Sequence, residues 1–140
     1  MTFNEFSEMR LVGGTALALQ IGHRKSIDLE FFGNISFEDV YTANTFENFK
    51  KVINLKSSKH INIFSIDDVK VDFVNYIYPW LQNEILMDGI RLAGIQDIAA
   101  TKLAAVTGRG SRKDFIDIYF LLQKFNLRQL MGFYNNKYYD

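Results

Sequence analysis

The stretch from Val12 to Glu30, Val-Gly-Gly-Thr-Ala-Leu-Ala-Leu-Gln-Ile-Gly-His-Arg-Lys-Ser-Ile-Asp-Leu-Glu, restricts the fold more than any other part of the chain. Gly13-Gly14 opens a short apolar run, Thr15 to Ile21, that reads as a helix. A strand is expected over Ile27 to Phe32, apolar except at Asp28 and Glu30. Side chains two apart on a strand share a face, so the two carboxylates project together while Ile27, Leu29 and Phe31 face the other way. A glycine turn at a helix start offers unpaired backbone N–H groups to a phosphate. Adjacent carboxylates are hard oxygen ligands for Mg²⁺. Together they are the parts needed to hold a nucleoside triphosphate with its metal.

Further along, Gly33-Asn34 is a turn, and Ser36-Phe-Glu-Asp39 has the spacing of a capping box. One or two helices are expected over 37–55, with Val40, Phe46, Phe49 and Val52 as their apolar face. Ile61–Ile66 and Val69–Val74, separated by Asp67-Asp68, read as a β-hairpin. In its second strand Val69, Val71 and Phe73 share one face and Lys70, Asp72 and Val74 the other. An acid in the middle of an interior strand is costly without partners. A metal already held by Asp28 and Glu30 is its most economical partner, which makes Asp28, Glu30 and Asp72 the candidate catalytic and metal-binding triad. The competing explanation is three exposed acids.

After Pro79-Trp80 come a short segment to Asp88-Gly89, a strand Ile90 to Ala93, and a helix from about Gln96 to Thr107 that Gly108 to Gly110 ends. Ser111-x-x-Asp114 is a second capping box, opening a helix to about Lys124. Its Phe115, Ile118, Tyr119 and Leu122 have the spacing of a buried stripe. The whole reads as one domain over 1–140 of α/β (α+β) class: a small mixed sheet flanked by helices, with the core at about 11–93 and a helical part at about 94–140.

Sixteen basic and sixteen acidic residues cancel, which argues against a general nucleic-acid coat protein. The Lys50, Lys51, Lys56, Lys59, His60 block reads as a solvated charged face. His23 and His60 lack metal-ligand spacing and are expected at the surface. The aromatic tail, Phe133-Tyr134 and Tyr138-Tyr139, is expected as a docked or frayed terminus, with base stacking the competing use. There is no cysteine, hence no thiol chemistry. No apolar run approaches the roughly 20 residues of a membrane helix, and the first ten residues lack the order of a signal peptide. A cytoplasmic protein with no membrane partner is expected.

The words Leu-Val-Gly-Gly-Thr-Ala-Leu-Ala-Leu at 11–19, Gly-His-Arg-Lys-Ser-Ile-Asp-Leu-Glu-Phe-Phe at 22–32 and Lys-Asp-Phe-Ile-Asp-Ile-Tyr-Phe-Leu-Leu at 113–122 occur in that order. With them the chain, from about Leu11 to Leu122, resembles polymerase-beta-type nucleotidyltransferases, and within them the AbiEii/AbiGii-type toxins of abortive-infection and toxin–antitoxin systems. The resemblance implies a nucleotidyltransferase fold and transfer of an NMP from an NTP, with two Mg²⁺ ions, to an acceptor such as RNA or a tRNA 3′ end, under a cognate antitoxin. It also implies nucleotide binding by Gly13, Gly14, Thr15, Arg24, Ser26, Lys102, Arg109 and Lys113, and an active-site role for Asp117 as a base or as a holder of a basic group. Glu30 departs from the commoner Asp-x-Asp but keeps the ligand type. Alternatives are a small-molecule nucleotidyltransferase of the antibiotic-modifying kind and a catalytically silent nucleotide-binding or interaction module.

Overall fold

The computed structural model describes residues 8–34 and 46–139. Seven strands, β1 (Arg10–Val12), β2 (Leu29–Gly33), β3 (Val52–Ser57), β4 (Ile61–Ile66), β5 (Val69–Asn75), β6 (Ile85–Met87) and β7 (Ile90–Leu92), form one sheet in the order β3-β4-β5-β2-β1-β7-β6. Pairs β2–β5 and β1–β7 are parallel and the other four antiparallel. Among the described residues there are four helices: α1 (Gly13–Ile21), α2 (Ile95–Gly108), α3 (Arg112–Leu121) and α4 (Leu127–Tyr138). None is long and apolar enough to cross a membrane.

The β4–β5 and β6–β7 hairpins follow from their turn residues. Asp67 and Asp68 both have positive φ, 48° and 69°, as do Asp88 (51°) and Gly89 (80°). Two consecutive positive-φ residues make the turn whose twist matches that of paired strands. Alternation along β2, β4 and β5 then separates two faces. Phe31, Phe64, Phe73 and Val71 are buried on one. There Phe31 stacks on Phe73 at 5.7 Å between ring centres, and Phe64 meets Phe73 edge-on at 6.0 Å. The other face carries Glu30, Asp72, Lys70 and Val74. Helix α1 packs on β1 and β2, while α2 and α3 pack on α1. This arrangement brings the carboxylate face of β2 and β5 beside α2 and the start of α3.

Two expectations change, one lies outside the described residues, and the tail takes the docked form. The segment 52–57 is not helical: it pairs with β4 as an edge strand, since Val52, Ile53 and Leu55 fit a pleat as well as a helix face. The Ser36–Asp39 capping box and Val40 lie outside the described residues. Helix α3 ends at Leu121, and the stripe expected to be buried is largely turned out: Phe115, Tyr119 and Leu122 are 54%, 61% and 41% exposed. The residues α3 buries are Asp114, Asp117 and Leu121. The tail forms α4, started by a reciprocal Asn126–Gln129 capping box and docked against α2. Its Lys137 ammonium is buried on Asp97 of α2 (2.6 Å) and the Pro79 carbonyl (2.8 Å), over the Trp80 ring.

Candidate active site

Parallel pairing of β2 with β5 sets Glu30 directly opposite Asp72. Paired residues share a face with Cβ atoms roughly 5 Å apart, so these two carboxylates stand side by side. Asp28 stands one residue before β2. Two clefts meet here. A wider one of about 440 Å³ has Glu30 and Asp72 beside Phe32, Ile61, Val74 and Ala105. A narrower, charged one of about 210 Å³ has Asp28 and Glu30 beside Arg24, Ser26, Lys70 and Lys113. Glu30, Lys102 and Arg109 line both.

Burial and the neighbouring Asp72 charge raise the Glu30 pKa above its ordinary value, against the pull of Lys102. Asp72 gives one oxygen, Oδ2, to the Lys70 ammonium at 3.3 Å. Its other oxygen, Oδ1, is buried with no hydrogen-bond partner among the described residues. Such an acceptor is costly unless something electropositive meets it. No three carboxylate, imidazole or thiol groups among the described residues close into a ready metal cage. Mg²⁺ commonly uses one or two carboxylates plus substrate phosphates, so an orphaned Asp72 oxygen beside Glu30 fits an ion that arrives with a nucleotide.

The glycine pair works through what lies on it. Helix α1 begins at Gly13 itself, whose φ is +71°. A Cβ at Gly13 would overlap the Glu30 carboxylate, and one at Gly14 would overlap the Arg24 guanidinium. The glycines therefore let an acid and a base lie directly on the first turn of α1. The Thr15 hydroxyl bonds Ser26 Oγ (2.7 Å) and the Asp28 carbonyl, tying the approach to β2 onto α1.

Behind the cations lie two buried acids. Asp117 has no exposed surface and accepts from Arg24 Nε (2.7 Å), Arg24 Nη2 (2.9 Å), His23 Nε2 (2.6 Å) and Lys102 Nζ (2.8 Å). Burial alone would raise its pKa, but these donors hold it down to about 2. Asp114 takes Lys102 Nζ (3.0 Å), Arg109 Nε (3.1 Å) and Ser111 Oγ (2.6 Å), which keep it well below the carboxylate range despite burial. Its backbone N–H donates to Ser111 Oγ at 3.4 Å, so the expected cap at Ser111 forms. The Asp114 side chain, however, faces the cations. Lys102 does not reach for solvent; it is buried between the two acids and borders both clefts.

Each candidate nucleotide-binding or catalytic residue lies in or next to a cleft, with Asp117 one layer behind. Of the expected triad, however, Asp28 lines the charged cleft and Asp72 the wider one, and only Glu30 lines both. His23 is the correction: its side chain is buried on Asp117, with the ring edge-on to Phe120 at 5.4 Å, whereas His60 is exposed. Lys70, Ser111 and the clamping role of Asp114 were not anticipated. The available signal was Asp117, an acid inside an apolar helix with no cap to explain it.

A family model described as "Nucleotidyl transferase AbiEii toxin, Type IV TA system" matches residues 2–135. The chain belongs to the AbiEii family. The protein aq_aa25 of Aquifex aeolicus is 37% identical to it over 94% of this chain and 67% of its own length. The crystal structure of JHP933 from Helicobacter pylori shares the fold at a TM-score of 0.64 and 23% identity, over 90% of this chain and 64% of that one. The antibiotic-resistance factor ANT(2'')-Ia shares it at 0.68 and 11%, over 91% and 80%. The chain thus spans about two thirds of the length of the Aquifex protein and of JHP933.

Proposed function

We propose that this AbiEii-family protein transfers a nucleotidyl group from an NTP, with Mg²⁺, to a hydroxyl of an RNA acceptor such as a tRNA 3′ end, in the cytoplasm and under a cognate antitoxin. The observation that carries the reading is the Glu30–Asp72 pair in the wider cleft, with Glu30 lining the charged cleft as well. The charged cleft suits a triphosphate and the wider, apolar-walled one suits an acceptor nucleoside. In the reaction the acceptor oxygen bonds to the α-phosphorus and its proton passes to solvent. The bond from that phosphorus to the β-phosphate oxygen breaks, and pyrophosphate leaves with the electron pair.

Asp28, Glu30 and Asp72 would hold the metal, which when bound would supply Lewis-acid activation of the attacking hydroxyl and charge neutralisation at the leaving oxygens. Lys102, Arg109, Arg24 and Lys113 bind the phosphates, and Gly14 lets Arg24 lie close to the helix start. Thr15 and Ser26 fix the loop that carries Asp28. Asp117, ionised down to about pH 2 and saturated by donors, is a positioning residue rather than a proton acceptor: it aims Lys102 and Arg24.

The experiment is incubation with each α-labelled NTP, Mg²⁺ and total bacterial RNA, resolved on a gel, with Asp28→Asn as control. Label on a discrete RNA, lost in a folded Asp28→Asn variant, is the expected result. Label on a small molecule would move the acceptor to the antibiotic-modifying kind. NTP binding without transfer would reduce the protein to a silent module.

A further inference from the structure

The carboxylate face continues beyond the clefts. Register sets Glu30 opposite Asp72, Asp72 opposite Ile63, and Ile63 opposite Lys56. Directly paired residues share a face, so these four make one row from β2 out to the edge strand β3. Lys56 belongs to the row because of a bulge. Pairing steps from Asn54 opposite Phe64 to Lys56 opposite Ile63, and Leu55 is passed over. Unbroken alternation would set Leu55 opposite Ile63 and turn Lys56 to the other face. Bulges recur at sheet edges and beside active sites, where they re-aim a side chain.

The wider cleft already reaches β4, since Ile61 lines it with Asp72 and Val74. From there the face runs over Ile61 and Ile63 to β3, which is exposed along its whole length. Lys59 and His60, also exposed, stand in the β3–β4 turn. At about 4.8 Å per strand, Lys56 is two strands, roughly 10 Å, from Asp72. An acceptor that fits within the cleft has no use for a cation there. A chain with a phosphate at every residue does.

We propose that the carboxylate face of β4 and β3 is a binding track for single-stranded nucleic acid. Its terminal nucleoside lies in the wider cleft, preceding bases rest over Ile61 and Ile63, and phosphates are met by Lys56 and Lys59. The track rests on the nucleotidyl-transfer reading for its direction, with the reacting end at Asp72. A positively charged groove that tracks the phosphates is a sequence-tolerant mode of single-strand recognition, and here the apolar Ile61 and Ile63 would face the bases.

The test is fluorescence anisotropy of a labelled single-stranded oligoribonucleotide against the full chain over a range of salt. Binding of an NTP with Mg²⁺ is titrated calorimetrically in parallel. Lys56→Glu/Lys59→Glu is expected to weaken RNA binding at least about tenfold at low salt, and Lys56→Gln/Lys59→Gln to flatten the salt slope by roughly 1.4, about 0.7 for each phosphate no longer neutralised. NTP affinity is expected to stay at the wild-type value. RNA affinity and salt slope equal to wild type in both variants, with NTP binding intact, would overturn the track and leave the transfer reading standing. A parallel fall in NTP affinity would also overturn it, because the lysines would then act on the nucleotide cleft. Wild-type protein that binds RNA but no NTP would count against nucleotidyl transfer and leave the track in place.

Discussion

Asp117 holds two arms of the charged cleft, Arg24 and Lys102, on one fully buried carboxylate, with His23 as its third partner. A carboxylate ionising at about 2 in the folded chain and near 4 when unfolded contributes stability above about pH 4. That contribution is lost as pH falls from 4 through 2. The gap corresponds to roughly 2–3 kcal/mol. Asp117→Asn is therefore expected to lower stability by about that amount at pH 7, with the difference from wild type closing as pH approaches 2. Urea midpoints at pH 7 and at successively lower pH check it, and a constant difference across that range would contradict the account. Gly13→Ala makes a sharper local test. Its φ of +71° disfavours a side chain, and its Cβ would occupy the position of the Glu30 carboxylate. We expect a loss of roughly 1–2 kcal/mol from the backbone alone, and transfer activity reduced at least tenfold as Glu30 is displaced.

At the level of elements, α3 shows why the site was easier to read than the packing around it. Its apolar spacing announces a helix, and the helix is there, but Phe115 and Tyr119 lie outward while Asp114 and Asp117 lie inward. Periodicity reports which residues share a face and not which face is buried; the cations of α2 and the Gly22–Ile27 loop decide that. Segment 52–57 failed for a related reason, because a short apolar run lacks the length that separates helix from strand. The Lys70–Asp72 alternation was legible because period two leaves no comparable ambiguity. The strand expected from Ile27, by contrast, begins only at Leu29, which leaves Asp28 just before it and Ile27 exposed. Helix α4 owes its position to Lys137, buried on Asp97, which also accepts from the N–H groups of Leu81 (2.8 Å) and Gln82 (3.1 Å). Burial lowers the Lys137 pKa against the pull of Asp97. Removing one member of a buried pair strands the other, so Lys137→Met is expected to cost about 3–5 kcal/mol and to release α4. Hydrogen exchange of α4 amides and the denaturation midpoint measure it, and a variant as stable as wild type would show that the docking is carried by Leu130 and Phe133 instead.

Across the whole molecule, stability and the site pull in opposite directions at one place. The buried aromatic face of the sheet and the Lys137 clamp hold the fold, and neither touches the clefts. The opposite face carries Glu30 and Asp72 side by side, one with its pKa raised by burial and like charge, the other with an unpaired buried oxygen. A carboxylate whose folded pKa lies above its unfolded value costs stability that accrues as pH rises from the unfolded to the folded pKa, is full above the folded one, and is relieved as pH falls back through that window. Its pH dependence therefore has the opposite sign to that of Asp117. Neutralising either member should relieve the repulsion, and Glu30→Gln and Asp72→Asn are each expected to stabilise the metal-free protein by about 1 kcal/mol at pH 7, as substitutions at strained functional sites often do. The same substitutions remove a metal oxygen, so transfer should fall at least about a hundredfold. Mg²⁺ with NTP should raise the melting temperature of wild type by the linkage expected for a ligand that binds only the folded chain, and should barely move that of Asp72→Asn. Thermal unfolding of the three proteins with and without Mg²⁺ and NTP separates the two effects. If both variants melt below wild type without ligand, the pair is held by structural partners rather than kept in tension for a metal.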